Sequence, residues 1–212
     1  AIREPAHRSH PKPAEDWDID RIVDQYADAA ERMQAGGMDG IEIEAYGHLF
    51  DQFWSPSTNR RTDAYGGSFE NRMRFPMAVL HAVRRRVGTE FVVSIRMAVD
   101  ERLEDGIDTP MGLTILRRLA GERLIDVVNV IRGNIVNDAV LSEVIPIHGM
   151  ASAPHLDFAG MVRAETGIAY DERERLVDCL LDWVDADNEY RINGVEEDGE
   201  YVAPNRMFET VD

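Results

Sequence analysis

The chain has 212 residues, 44% of them hydrophobic and 30% charged, a balance that suits one ordinary soluble domain with a substantial core. Its formal net charge of −17 argues against a general nucleic-acid backbone binder, which needs the opposite sign. The single cysteine, Cys179, excludes an intramolecular disulfide and a cysteine-ligated iron–sulfur cluster. No run approaches the ~20 apolar residues of a membrane span and no signal peptide opens the chain, so a cytoplasmic location is expected. An initial Ala in place of Met reads as a fragment or a processed product.

Residues 1–17 form a polar, Pro-punctuated lead-in. Asp18 or Asp20 is placed to cap a helix running to about Ala35, with Ile19, Ile22, Val23, Tyr26, Ala30 and Met33 on one face and Gly36-Gly37 as its stop. Met38 to Glu44 reads as a short strand. A long polar stretch follows, Asp51 to Phe75, with four Arg, two Asp, one Glu, two Asn and no Lys. Its Phe53, Trp54, Tyr65, Phe69 and Phe75 require burial, so an ordered loop is expected rather than disorder. Within it, Arg61, Asp63, Glu70, Asn71 and Arg72 are suited to fixing the loop's shape through bidentate Arg–carboxylate pairs.

Ser68 caps the next helix, which runs through Val87 to Gly88. Phe91 to Ala98 is a second strand, nearly all apolar, as strands covered on both faces are. A polar loop from Val99 to Thr109 leads to a helix from Pro110 to about Gly121, and Ile125 to Ile131 is a third strand. Residues 132–155 form a loop and His155 to Glu165 a further helix.

Helices alternating with strands argue for βαβ units and a parallel sheet. The loops after strands are long and those after helices short, which puts a site at the carboxyl ends of the strands in either a (β/α)8 barrel or a doubly wound sheet. No dinucleotide-type glycine fingerprint follows any strand, which favours the barrel. His48, in an acid-rich loop at a strand's carboxyl end, has the chemistry of a general acid or base. Arg96 interrupts an apolar strand and needs an anionic partner, Asp100 being one candidate. His148 and His155 show no recurring ligand spacing, so no metal role is expected.

Four segments carry a family resemblance: AGGMDGIEIEAYGHLFDQFWSP, NRRTDAYGGSFENRMRF, VSIRMA and IPIHGMASAPHLDFAGMVRAETG. Over about residues 1–168 the chain resembles Old Yellow Enzyme-type flavoproteins. The nearer branch holds trimethylamine dehydrogenase, 2,4-dienoyl-CoA reductase and N-methyl amino acid demethylases. The resemblance implies a (β/α)8 barrel that binds FMN, with NAD(P)H as a reductant and a small-molecule substrate. It places Arg96 at the flavin's pyrimidine edge, where positive charge stabilises the reduced ring. It makes Tyr46 and His48 the candidates for the hydrogen-bonding and proton-donating positions. The segment EIEAYGHLFDQF is one residue shorter than the family pattern, and Glu44 stands where the first substrate-orienting His usually lies. That departure points away from ordinary ene-reduction and toward an amine-type substrate.

Family barrels also draw strands from before and after this stretch. The chain is therefore expected to be an incomplete barrel, 1–168, inactive or weak in FMN binding, and prone to self-association through its open edges. Residues 171–212 carry 14 acidic against 4 basic residues, and this helical, acidic extension resembles a type II secretion minor pseudopilin of the K class. That second resemblance implies a non-enzymatic secretion module, in which Asp185, Asp187, Glu196, Glu197 and Asp198 are either calcium ligands or a solvated acidic face.

Overall fold

The computed structural model describes residues 12–145, 149 and 155–166. Three parallel strands, β1 (Gly40–Glu44), β2 (Val92–Asp100) and β3 (Val127–Arg132), lie side by side in chain order. The helices are α1 (Asp16–Ala35), α2 (Asp51–Trp54), α3 (Phe69–Val87), α4 (Thr109–Gly121), α5 (Asp138–Val144) and α6 (Leu156–Thr166). None of them is long and apolar enough to cross a membrane.

Strand register decides which residues share a face, because side chains alternate along a strand. Glu44 pairs with Arg96 and Arg96 with Asn129; Ile43 pairs with Ile95 and Ile95 with Val128. The Ile43, Val93, Ile95 and Met97 side is fully buried in one cluster with Ile19 of α1, Phe75 and Leu80 of α3, Leu116 of α4 and Val162 of α6. All four long helices therefore cover the same face. A doubly wound sheet would carry helices on both faces, whereas a barrel keeps them outside. The opposite face is polar lower down, where Ser94 Oγ and Asn129 Nδ2 donate to the Glu42 carboxylate at 3.2 and 3.3 Å. Higher up it carries a small apolar cluster of Tyr46, Ala98, Ile131 and Val144.

The helix ends follow from local chemistry. Ser68 Oγ accepts from Asn71 N at 3.2 Å and Asp108 Oδ1 from Met111 N at 2.9 Å, and Pro110 occupies the first turn of α4. Gly88 ends α3 with φ +77°. Several boundaries differ from expectation, among them the starts of β1 at Gly40 and of β3 at Val127. Helix α1 starts at Asp16 because Glu15 is its cap, and Asp18 sits in the third helical position, accepting from Glu15 N. Strand β2 continues to Asp100, beyond Ala98. The one-turn α2 and α5 (Asp138–Val144) fall in stretches that read as loop. The region after Thr166, with the sequence boundary near residue 170 and the acidic tail, lies outside the described residues.

The Asp51–Phe75 connection is ordered by aromatic packing. Phe50 meets Tyr26, Trp54 and Phe75 edge-on, with ring centroids 5.7, 5.4 and 5.7 Å apart, and Phe53 stacks on Phe75 at 4.1 Å. Such pairs add about 0.5–1.5 kcal/mol each to the burial of the rings. Arg61 and Asp63 form the expected bidentate pair, and Glu70 pairs with Arg118 at 2.6 Å. Arg72 departs from that scheme: its guanidinium donates to the carbonyls of Trp54 and Gly67 at 3.0 and 2.5 Å. A fork of five donors suits backbone oxygens that water cannot reach.

Ser68→Ala removes the cap of the longest helix after α1 without opening a cavity. A loss of about 1 kcal/mol is expected, readable as a lower midpoint in chemical denaturation.

Candidate functional site

The carboxyl end of the sheet is built from residues that the three strands deliver at successive heights. Glu44 is the last residue of β1, and Arg96 is its register partner on β2. Tyr46 follows after one buried alanine, and Arg132 ends β3. Five buried side-chain atoms among the described residues have no hydrogen-bond partner: Glu44 Oε1, Tyr46 OH, Arg96 Nε, Arg132 Nε and His155 Nδ1. Glu44 and Arg132 end their strands, Tyr46 follows one, Arg96 stands in the middle of β2 beside Glu44, and His155 precedes α6. Buried polar groups are ordinarily satisfied, so the three orphans that lie together, on Glu44, Tyr46 and Arg96, mark a surface shaped for something polar.

Three of the orphans act on one another. Arg96 and Glu44 approach to 3.7 Å, too long for a hydrogen bond, so the guanidinium keeps donors to spare. This replaces Asp100 as the anionic partner of Arg96; Asp100 instead accepts from Thr109 Oγ1 at 3.1 Å. The Arg96 side chain is 38% exposed rather than sealed in a core, because it stands on the face of the sheet opposite α1, α3, α4 and α6. Burial pushes the Tyr46 phenol up to about 12, helped by the charges of Asp51 and Glu44 and opposed by Arg96. Tyr46 is therefore a neutral hydroxyl at physiological pH, able to donate or accept a hydrogen bond.

His48 does not join this group. It is exposed, two residues past Tyr46 across a Gly47 whose φ is +69°, and among the described residues no hydrogen bond links the two side chains. His155 Nε2 lies 3.2 Å from the Val144 carbonyl, and His148 lies outside the described residues. Arg132 approaches Asp100 at 3.7 Å and covers the Phe158 ring at 5.0 Å, on the helix side of the sheet.

Sequence reasoning passed over two acids. Asp51, 3% exposed, accepts from the Trp54 indole at 3.0 Å and from Gly47 N at 2.5 Å. Glu101, fully buried, accepts from Ser55 Oγ, Ile107 N and Asn134 Nδ2 at 2.6, 2.7 and 2.9 Å, one donor from each loop that follows a strand. Burial, reinforced by Glu101, raises the Asp51 carboxyl to about 8, and burial also raises Glu101. The signals available were a Trp three residues after Asp51 and an acid directly after an apolar strand; both are weak.

A one-sided parallel sheet with its polar orphans at the carboxyl ends defines a segment of a barrel-type α/β protein with a strand-end site. The sequence pattern of the NADH:flavin oxidoreductase / NADH oxidase family matches residues 3–141, and the chain belongs to that family. FMN and a reduced nicotinamide are the cofactors of the family. Over 164 residues the chain is 60% identical to a probable N-methylproline demethylase of Rhizobium meliloti, covering 77% of this chain and 24% of that protein. It is 42% identical to an N,N-dimethylglycine/sarcosine dehydrogenase of Chromohalobacter salexigens, over 76% of this chain and 24% of the relative. The chain thus spans about a quarter of the length of these relatives. Among solved structures, 2-naphthoyl-CoA reductase in complex with 2-naphthoyl-CoA superposes with a TM-score of 0.68 at 25% identity, covering 79% of this chain and 25% of the other. Morphinone reductase in complex with tetrahydroNAD gives 0.51 at 34% identity, over 65% and 38%.

A buried acid that holds its proton more tightly when folded stabilises the protein most at low pH. For Asp51 that contribution is complete below the ordinary carboxylate value of 3.8 and is lost as pH rises through about 8. Asp51→Asn removes it, so the fall in unfolding free energy between about pH 4 and pH 8 is expected to be shallower in the variant. Denaturant titrations across that range check this; parallel slopes would contradict the assignment.

Proposed function

We propose that this chain contributes the substrate side of an FMN-dependent oxidation of a small N-methylated amine or amino acid. The observation that carries the reading is the trio of Glu44, Tyr46 and Arg96 on the open face of the sheet, an anion, a neutral hydroxyl and a cation that each keep one buried polar atom without a hydrogen bond. The two relatives named for N-methylproline and for dimethylglycine or sarcosine support the substrate class.

The residues fit a flavin at one edge. Arg96, with a buried Nε that lacks an acceptor, would hold the electron-rich pyrimidine edge. FMN, when bound, supplies the acceptor for the hydride that leaves the N-methyl carbon. The rest of the work belongs to the protein. Glu44 Oε1 is an anionic acceptor that orients the ammonium form through a charge-assisted bond and takes its N–H proton, so that the neutral amine's lone pair supports hydride loss. Tyr46 remains protonated and supports the amine by hydrogen bonding, without acting as a tyrosinate base. The substrate cation left by hydride loss, an iminium carbon, takes up water and releases formaldehyde and the demethylated amine. His48, exposed on the same turn, is the group available to carry the water's proton to solvent.

The described sheet has three strands and lines one side of a mouth. FMN added to the 212-residue chain alone is accordingly expected to bind more weakly than about 1 μM, which fluorescence titration measures. Function is better read in a chimera. Residues 3–141, exchanged into the Rhizobium meliloti relative, should retain formaldehyde release from N-methylproline. Tyr46→Phe in that chimera should lower it by about 10²-fold. A chimera that holds flavin but releases no formaldehyde would overturn the reading.

A further inference from the structure

Two carboxylates next to the mouth take no part in the chemistry above. Asp51 bridges the Trp54 indole and the Gly47 backbone N–H, so the residue immediately after Tyr46 is tied to α2. On that flank Ser55, directly after α2, donates to Glu101. On the other flank Asn134 donates to the same carboxylate, and its neighbour Ile135 abuts Gly47, where an added Cβ would stand 2.9 Å from Ile135 Cδ1. The turn that carries Tyr46 is therefore gripped from both sides by loops that meet at one buried acid. The left-handed Gly47 backbone, φ +69°, leaves it no side chain with which to settle elsewhere.

We propose that Asp51, backed by Glu101, is a positioning residue for Tyr46: by clamping the Gly47 turn to the Trp54 indole it sets where the Tyr46 hydroxyl stands relative to Glu44 and Arg96. This rests on the reading of Tyr46 as the group that meets the substrate. The charged and titratable groups around Asp51 are Glu44 and Tyr46 from the β1 side and Glu101 from the loop after β2. Arg96 of β2 bears on Tyr46, and Arg72 of α3 holds the Trp54 carbonyl. Glu101 and Glu44 are the charged groups that bear on Asp51, both acids, so ionising Asp51 adds like charge beside the turn it clamps. The position of Tyr46 then depends on the proton that Asp51 carries.

Proton–nitrogen correlation NMR for the amide and indole, with aromatic proton–carbon correlation for the Tyr46 ring, tests this in the full 212-residue chain without flavin or turnover. The Trp54 indole N–H and the Gly47 amide are expected to shift together in one titration centred at about pH 8, with the Tyr46 ring signals following. Asp51→Asn should abolish that titration and displace the Tyr46 ring signals, while Tyr46→Phe should leave the Trp54 titration in place. A Gly47 amide that ignores the Trp54 titration, or Tyr46 ring signals unmoved by Asp51→Asn, would overturn the proposal. Should Asp51→Asn fail to fold, the wild-type titration decides alone, since Tyr46 signals that do not follow Trp54 also overturn it. A chimera without formaldehyde release would sink the functional reading and leave this titration intact, so the two failures are distinguishable.

Discussion

The mouth of this sheet depends on one buried carboxylate. Glu101 has no exposed surface, and it collects a hydroxyl, a backbone amide and a side-chain amide from the three loops that follow the three strands. A carboxylate without water is costly unless its lone pairs are filled, and here three donors at 2.6–2.9 Å fill them. The cost explains the precision, because losing any one donor would leave the charge less compensated than burial allows. The arrangement ties loops distant in sequence into one rim, above the register pair of Glu44 and Arg96.

The sheet below the rim is held by a simpler force. Ile43, Val93, Ile95 and Met97 lie on the side that meets α1, α3, α4 and α6. Burying each such side chain contributes about 1.5–3 kcal/mol relative to exposure. The reverse side keeps Glu42, Ser94 and Asn129 in mutual hydrogen bonds. The division into an oily and a polar face is what leaves Arg96 half open to its surroundings while its strand neighbours are sealed.

Much of this was legible in the residue order. Apolar runs at Met38–Glu44, Phe91–Ala98 and Ile125–Ile131 each contain most of a strand, and Ser68, Pro110 and Gly88 mark helix ends through chemistry that acts within a few residues. The family could be recognised from the Asp51–Phe75 segment, whose Arg61–Asp63 pair and buried aromatics are local as well. What could not be read depends on distance. Nothing near Glu101 in sequence announces that Ser55 and Asn134 will reach it. Asp51 looks like any loop acid until Trp54 and Gly47 close around it, and Arg96 found its anion on the neighbouring strand rather than four residues along its own. Capping acts over three residues and can be read; the acid network acts over 33 and 46, from Glu101 to Asn134 and to Ser55, and cannot.

The neighbour-to-neighbour order of the strands also sets a timetable. Gly40 waits for Val92, 52 positions later, and Ser94 waits for Val127, 33 positions later. At a synthesis rate of roughly 5–20 residues per second each new strand meets its partner within about ten seconds of the previous one. Because β2 pairs on both sides, it is the template: before it emerges β1 has no described strand to bond, and once it is in place β3 joins through the single crossover that carries α4. Assembly can therefore advance in the direction of translation, one βα unit at a time, without any strand having to be threaded between two already joined.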